Sequence, residues 1–188
     1  MFFLARPSDL HGAGMVASAL HQRYQPVSDE KEGLVATLLG HFERPADAET
    51  DAEFSEASWA TKRRSSMRFL VELFVIGVMP SLDPLVDVLK RMMKEDDATR
   101  DFSNLSLIRE FAKVAALDIL GTRARDASVE LAALESVLEA QDEPVISAEG
   151  RADLCKLLKA YHARVSQRLC NVHKRMRAQE KKLSLIHI

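Results

Sequence analysis

Residues 67–79 read Met-Arg-Phe-Leu-Val-Glu-Leu-Phe-Val-Ile-Gly-Val-Met, a run apolar on every side of a helix except at Arg68 and Glu72. Met67, Leu70, Val71, Phe74 and Val78 form one stripe at helical spacing, and Phe69, Leu73 and Ile76 form a second. Val75 and Met79 continue the face that Arg68 and Glu72 begin. A helix apolar all round has to be covered by other elements, so this segment is expected at the centre of a packed stack. Arg68 and Glu72 stand four residues apart and are expected to neutralise each other as a structural ion pair, since either charge alone is costly to bury.

The flanking pattern is helical throughout. Asp9 caps a first helix reaching Tyr24, in which Leu10, Ala13, Ala17, Leu20 and Tyr24 recur every three or four residues, and Pro26 ends it. Ser28 caps a second, with Asp29 and Glu30 at its positive end and Leu34, Val35, Leu38, Leu39 and Phe42 as its stripe. Residues 43–56 carry Glu43, Asp47, Glu49, Asp51, Glu53 and Glu56 and read as an acidic loop, after which the central helix is entered near Trp59. Ser81 and Pro84 open a fourth helix bearing Leu85, Val88, Leu89, Met92 and Met93. Residues 94–100 read as a charged connector, residues 103–120 as a helix closed by Gly121, and residues 126–140 as a further helix. Ser147 caps a last long helix over about residues 149–181, with Leu154, Leu158, Tyr161, Val165, Leu169, Val172 and Met176 on its apolar side. No alternating strand pattern competes, so the fold class is all-α, with antiparallel helix pairs joined by short connections.

Charge and cysteine usage narrow the class of function. A net charge of −2 excludes a polycation, and a chain of 188 residues, 47% of them hydrophobic, is long enough for one domain with a sizeable core. The two cysteines, Cys155 and Cys170, fall on one helix and cannot meet, which fits a reducing compartment. The longest uncharged apolar stretch, residues 73–82, is too short to span a bilayer, and the start Met-Phe-Phe-Leu is too short for a signal peptide. A soluble protein without membrane attachment is expected, in the cytoplasm, with a perinuclear or nuclear location as the alternative.

Catalytic and ligand-binding constellations are missing from the pattern. His11, His21, His41, His162, His173 and His187 include no pair at the close helical spacing of a zinc site. The segment His11-Gly12-Ala13-Gly14 lacks the Gly-Lys pair and preceding strand of a phosphate loop. Neither cysteine, nor any serine or threonine, sits in a nucleophile motif. The expectation is therefore no enzyme, no metal, no cofactor and no small-molecule substrate. Charge stands out instead: residues 151–182 hold ten Lys and Arg against Asp153 and Glu180. Arg164, Arg168, Lys174, Arg175 and Arg177 form a candidate surface for RNA phosphates or an acidic partner. A solvated face with a basic end that suits the helix C-terminus is the alternative. No aromatic residues interleave with these charges, so base stacking is not expected.

Three blocks together resemble a known family: His21-Gln22-Arg23-Tyr24 after an amphipathic helix; the central run from Arg68 to Val78; and Ile146-Ser147-Ala148-Glu149 with Leu157-Leu158-Lys159-Ala160-Tyr161. The chain is similar to middle domains of the translation initiation factor 4G type, and among these to the first middle domain of the scaffold factors of nonsense-mediated mRNA decay. The resemblance covers residues 9–182 as a single domain, departs at the acidic loop of residues 43–56, and leaves residues 183–188 as a tail of doubtful origin. It implies antiparallel helix pairs stacked as a HEAT-like α-solenoid, with further helices of the domain type preceding Asp9. It also implies an intact protein that meets other nonsense-mediated decay and exon-junction factors. An RNA-binding helical-repeat module of a translation or cap-binding factor, acting through the basic last helix, is the alternative. The family assigns no partner-binding residue to a position of this chain.

Overall fold

The computed structural model describes residues 7–24, 33–45, 55–116, 118–121 and 146–186, and among these helices are the only regular secondary structure. They are α1 (Pro7–Tyr24), α2 (Leu34–Gly40), α3 (Glu56–Val75), α4 (Asp83–Thr99), α5 (Leu105–Val114) and α6 (Ala148–Ile186). The chain divides into two compact units, Met1–Ser147 with α1 to α5 and Ala148–Ile188 with α6. The helices expected from Ser28 and over residues 126–140 fall wholly or partly outside the described residues, as does most of the acidic loop.

In the first unit α3 is the central element, touching α1, α2 and α5, while α2 also reaches α4. Met67, Leu70, Val71, Leu73 and Phe74 of α3 are buried, with Leu85, Leu89 and Met92 of α4 and Leu107, Ile108 and Phe111 of α5. Each such side chain contributes about 1.5–3 kcal/mol by leaving water. α3 and α5 run in the same direction, since Arg63 meets Asn104 just before α5 and Arg68 meets Glu110 further along both helices. That is the relation of alternate helices in a stack of antiparallel pairs, with α4 as the return helix.

Local chemistry sets the limits of the central helix. Ser55 is its N-cap, its hydroxyl accepting from Ser58 N–H at 3.4 Å, so α3 begins at Glu56 rather than near Trp59. It ends at Val75, before the apolar run is exhausted. Gly77, at φ +77°, takes the left-handed conformation that side chains disfavour. Gly77 N–H then donates to Phe74 C=O and Val78 N–H to Leu73 C=O, the paired bonds of a Schellman cap. Val78 and Met79 lie beyond this cap and are buried there.

Three expectations about helices need correction. Residues 94–100 are not a connector: α4 continues to Thr99 because Asp96 faces inward and is fully buried, and Arg100, at φ 57°, stops it. The helix expected over 103–120 spans only Leu105–Val114, and turns carry the chain on to the buried Ile119 and Leu120. In α1 the packed face is rotated, with Ala17 and Gly14 buried and Leu20 exposed. The cause is Gly14: a Cβ there would stand 3.3 Å from Glu72 Cγ and 3.4 Å from Ile76 Cδ1, so the glycine lets α1 approach α3 on its own side.

Candidate functional site

α6 carries the charged surface expected from the sequence. Residues 164–181 hold six Lys and Arg against Glu180 alone, on a continuous helix. At ~100° per residue the candidate residues separate into two groups. Arg164, Arg168 and Arg175 fall within an arc of about 40° and form one row, whereas Lys174 and Arg177 lie near the opposite side, with Lys181. The Arg164 guanidinium stands over the Tyr161 ring at 6.0 Å, the outer limit of a cation–π contact. The arginine row borders the apolar stripe. Leu154, Tyr161 and Val165 are buried, but Leu169, Val172 and Met176 are 53%, 50% and 55% exposed, so burial of the stripe stops after Val165. Cys155 and Cys170 on the same helix are free, about 22 Å apart along the axis. Among the described residues no cluster of His, Cys, Asp and Glu could hold a metal ion, and no helix is long and apolar enough to cross a membrane.

Arg68 and Glu72 have other partners than each other. Arg68 donates through Nε to Glu110 Oε1 at 2.8 Å, and its Nη2 reaches the same oxygen. Glu72 accepts from His11 Nδ1 at 3.0 Å. The expected pair within α3 is therefore replaced by two contacts between helices, one to α5 and one to α1. The neighbouring helices bring complementary charges to these half-buried groups, and a bond across the interface satisfies them there.

A buried polar cluster went unread in the sequence. Arg63, Asp96 and Asn104 are 9%, 0% and 4% exposed. Arg63 Nη2 donates to Asn104 Oδ1 at 2.7 Å, and the Asn104 amide donates from Nδ2 at 3.0 Å and from its backbone N–H at 3.2 Å to Asp96 Oδ1. Trp59 covers the guanidinium, its ring centroid 4.5 Å from Arg63 Cζ. Burial draws the Arg63 pKa below the usual arginine value, opposed by Glu95 and Asp96, and the group remains charged at any physiological pH. Asn104 thus joins a cation on α3 to an anion on α4 at the entry to α5 and fixes the relative placement of the three helices. Trp59 and Arg63, four residues apart, were the one legible sign of it.

His41, after α2, places Nδ1 2.8 Å from Ser66 Oγ of α3. Burial, and then the charge of Lys62, lower its pKa below 6.5.

Stacked helices joined by buried polar contacts define an all-α helical-repeat protein. No family model matches the chain, and no solved structure matches it. Its curated relatives are regulators of nonsense transcripts. It is 26% identical to Regulator of nonsense transcripts 2 of Mus musculus and to that of Homo sapiens over 175 residues, 93% of this chain and 13% of each relative. It is 30% identical to Regulator of nonsense transcripts UPF2 of Arabidopsis thaliana over 57% of this chain and 9% of that protein. The chain therefore spans about a tenth of the length of the relatives it matches.

Proposed function

We propose that this chain is a scaffold domain of a nonsense-mediated mRNA decay factor, a helical platform that presents surfaces to protein partners and catalyses nothing itself. The observation that carries this reading is similarity to Regulator of nonsense transcripts 2 along 93% of the chain. The buried Arg63–Asn104–Asp96 cluster supports it, because a platform has to hold its helices in one arrangement to keep a surface in register. Other decay and exon-junction factors are the proposed partners, met through a larger protein in the cytoplasm. The test is a graft. The matched segment of the mouse relative is replaced by this chain in cells depleted of that relative, and the half-life of a reporter with a premature stop codon is measured. Restored rapid decay is expected; a reporter as stable as in depleted cells carrying an empty vector overturns the reading.

A second reading rests on the surplus of positive charge on α6. Direct RNA binding through Arg164, Arg168, Lys174, Arg175 and Arg177 would be indifferent to base sequence. Its affinity would fall with salt by a slope of roughly −0.7 per phosphate contacted on a single strand. An anisotropy titration of labelled RNA at two salt concentrations tests it, and absence of binding at low salt refutes it.

A further inference from the structure

We propose that residues 164–181 of α6 dock an acidic amphipathic helix of a partner protein. The inference rests on the scaffold reading and names the chemistry of one partner surface. Among the described residues the large apolar side chains that stand exposed fall in two places, Met15, Val16 and Leu20 on α1, and Leu169, Val172 and Met176 on α6. Only the second group is bordered by a row of charge. Val165, Leu169, Val172 and Met176 follow one another by four, three and four residues, an interval of eleven that keeps them on one side of a straight helix. Arg164, Arg168 and Arg175 run along one edge of that stripe, while His162, His173 and Glu180 occupy the other. The surface therefore offers apolar anchors flanked by positive charge on a single side.

These features discriminate among occupants. RNA would meet the arginines but leave Leu169, Val172 and Met176 in water, and residues 162–181 contain no Phe, Tyr or Trp on which a base could stack. A second copy would bring the same surplus of six Lys and Arg over one Glu against itself, and like charges across an interface are repulsive. An amphipathic helix with anchors at the spacing of helix-in-groove ligands covers the stripe, and carboxylates along one edge meet the arginine row. The positions of those carboxylates follow from the rise of the helix. Arg164 to Arg168 is about 6 Å and Arg168 to Arg175 about 10 Å along the axis. An antiparallel partner thus needs Asp or Glu at i, i+7 and i+11, and a parallel one at i, i+4 and i+11.

The experiment uses the full chain and a synthetic fluorescein-labelled helical peptide with leucines on one stripe and glutamates along one edge at i, i+7 and i+11. A second peptide carries lysines on that edge, a third has the glutamates at i, i+4 and i+11, and a labelled single-stranded RNA serves as the nucleic-acid arm. Saturable binding of at least one glutamate peptide is expected. Leu169→Ser with Met176→Ser should weaken it at least tenfold, and Arg168→Glu with Arg175→Glu should abolish it while creating affinity for the lysine peptide. Both variants change exposed or half-buried positions, and that gain of binding shows the second to be folded. The inference is overturned if neither glutamate peptide binds, if binding is indifferent to both variants, or if only RNA binds. If the graft restores reporter decay while neither glutamate peptide binds, the docking surface alone is refuted and the scaffold reading stands.

Discussion

Replacing Asn104 with alanine should destabilise the first unit by about 3 kcal/mol or more. The side chain accepts one hydrogen bond from the Arg63 cation and donates another to the Asp96 anion, at 2.7 and 3.0 Å. Each bond to a charged group is worth about 1.5–3 kcal/mol, so the two sum to about 3–6 kcal/mol before relaxation. Asn104→Ala also leaves the buried guanidinium and the buried carboxylate each short of one hydrogen bond, at about 1–3 kcal/mol for each group left unsatisfied. The backbone bond from Asn104 N–H to Asp96 survives the substitution and keeps the cost at the lower end, about 3 kcal/mol. Urea denaturation followed by fluorescence is the assay, because Trp59 is the chain's single tryptophan and covers the cluster. At about 1–3 kcal/mol per molar urea, the midpoint should fall by about 1 M or more. Exposed Lys113→Ala serves as control. A midpoint for Asn104→Ala equal to that of the control would refute the claim that Asn104 holds α3, α4 and α5 together.

The charged contacts of α3 should differ in weight. Arg68→Ala should lower stability by about 1–2 kcal/mol, because its partner Glu110 is largely covered. Glu72→Ala, whose partner His11 is exposed, should cost less than about 1 kcal/mol, and thermal melts of both variants check the difference. Gly77→Ala places a Cβ in the left-handed region at φ +77° and should cost about 1–2 kcal/mol, with Gly77→Asn milder, both read from urea midpoints. Because the folded pKa of His41 lies below 6.5, the unfolded chain takes up a proton that the folded one resists. The contribution of His41 is therefore flat above the unfolded value. It turns destabilising as pH falls through 6.5 towards the folded pKa. Comparing Tm for parent and His41→Gln at about pH 7.5 and pH 5.5 checks the sign: the parent should lose more.

Much of the fold was legible because helical order is local. The recurrence of Leu85, Val88, Leu89, Met92 and Met93 predicts the buried face of α4, and the all-round apolar α3 has the central place that its composition demands. The positive charge of α6 and the separation of Arg164, Arg168 and Arg175 from Lys174 and Arg177 also follow from residue order and a fixed turn per residue. The partners of those charges do not follow. Arg68 had a carboxylate four residues away, yet it bonds Glu110 in another helix. Several carboxylates were within sequence reach of α3, and only the approach of α5 chose among them. Asp96 looked like one member of a charged connector, and its burial depends on Asn104 arriving from the next helix with three polar atoms correctly placed. The apolar stripe of α6 is continuous in sequence to Met176, but burial ends at Val165, since periodicity records which residues share a face and not how far that face is covered. The sequence by itself thus determined an all-α chain, its helix periodicities and its basic last helix, all set by interactions within a few residues. The approach of helices within the first unit set the rotation of α1 at Gly14, the partners of Arg68 and Glu72 and the Arg63–Asn104–Asp96 cluster, because each depends on which helices meet and at what distance.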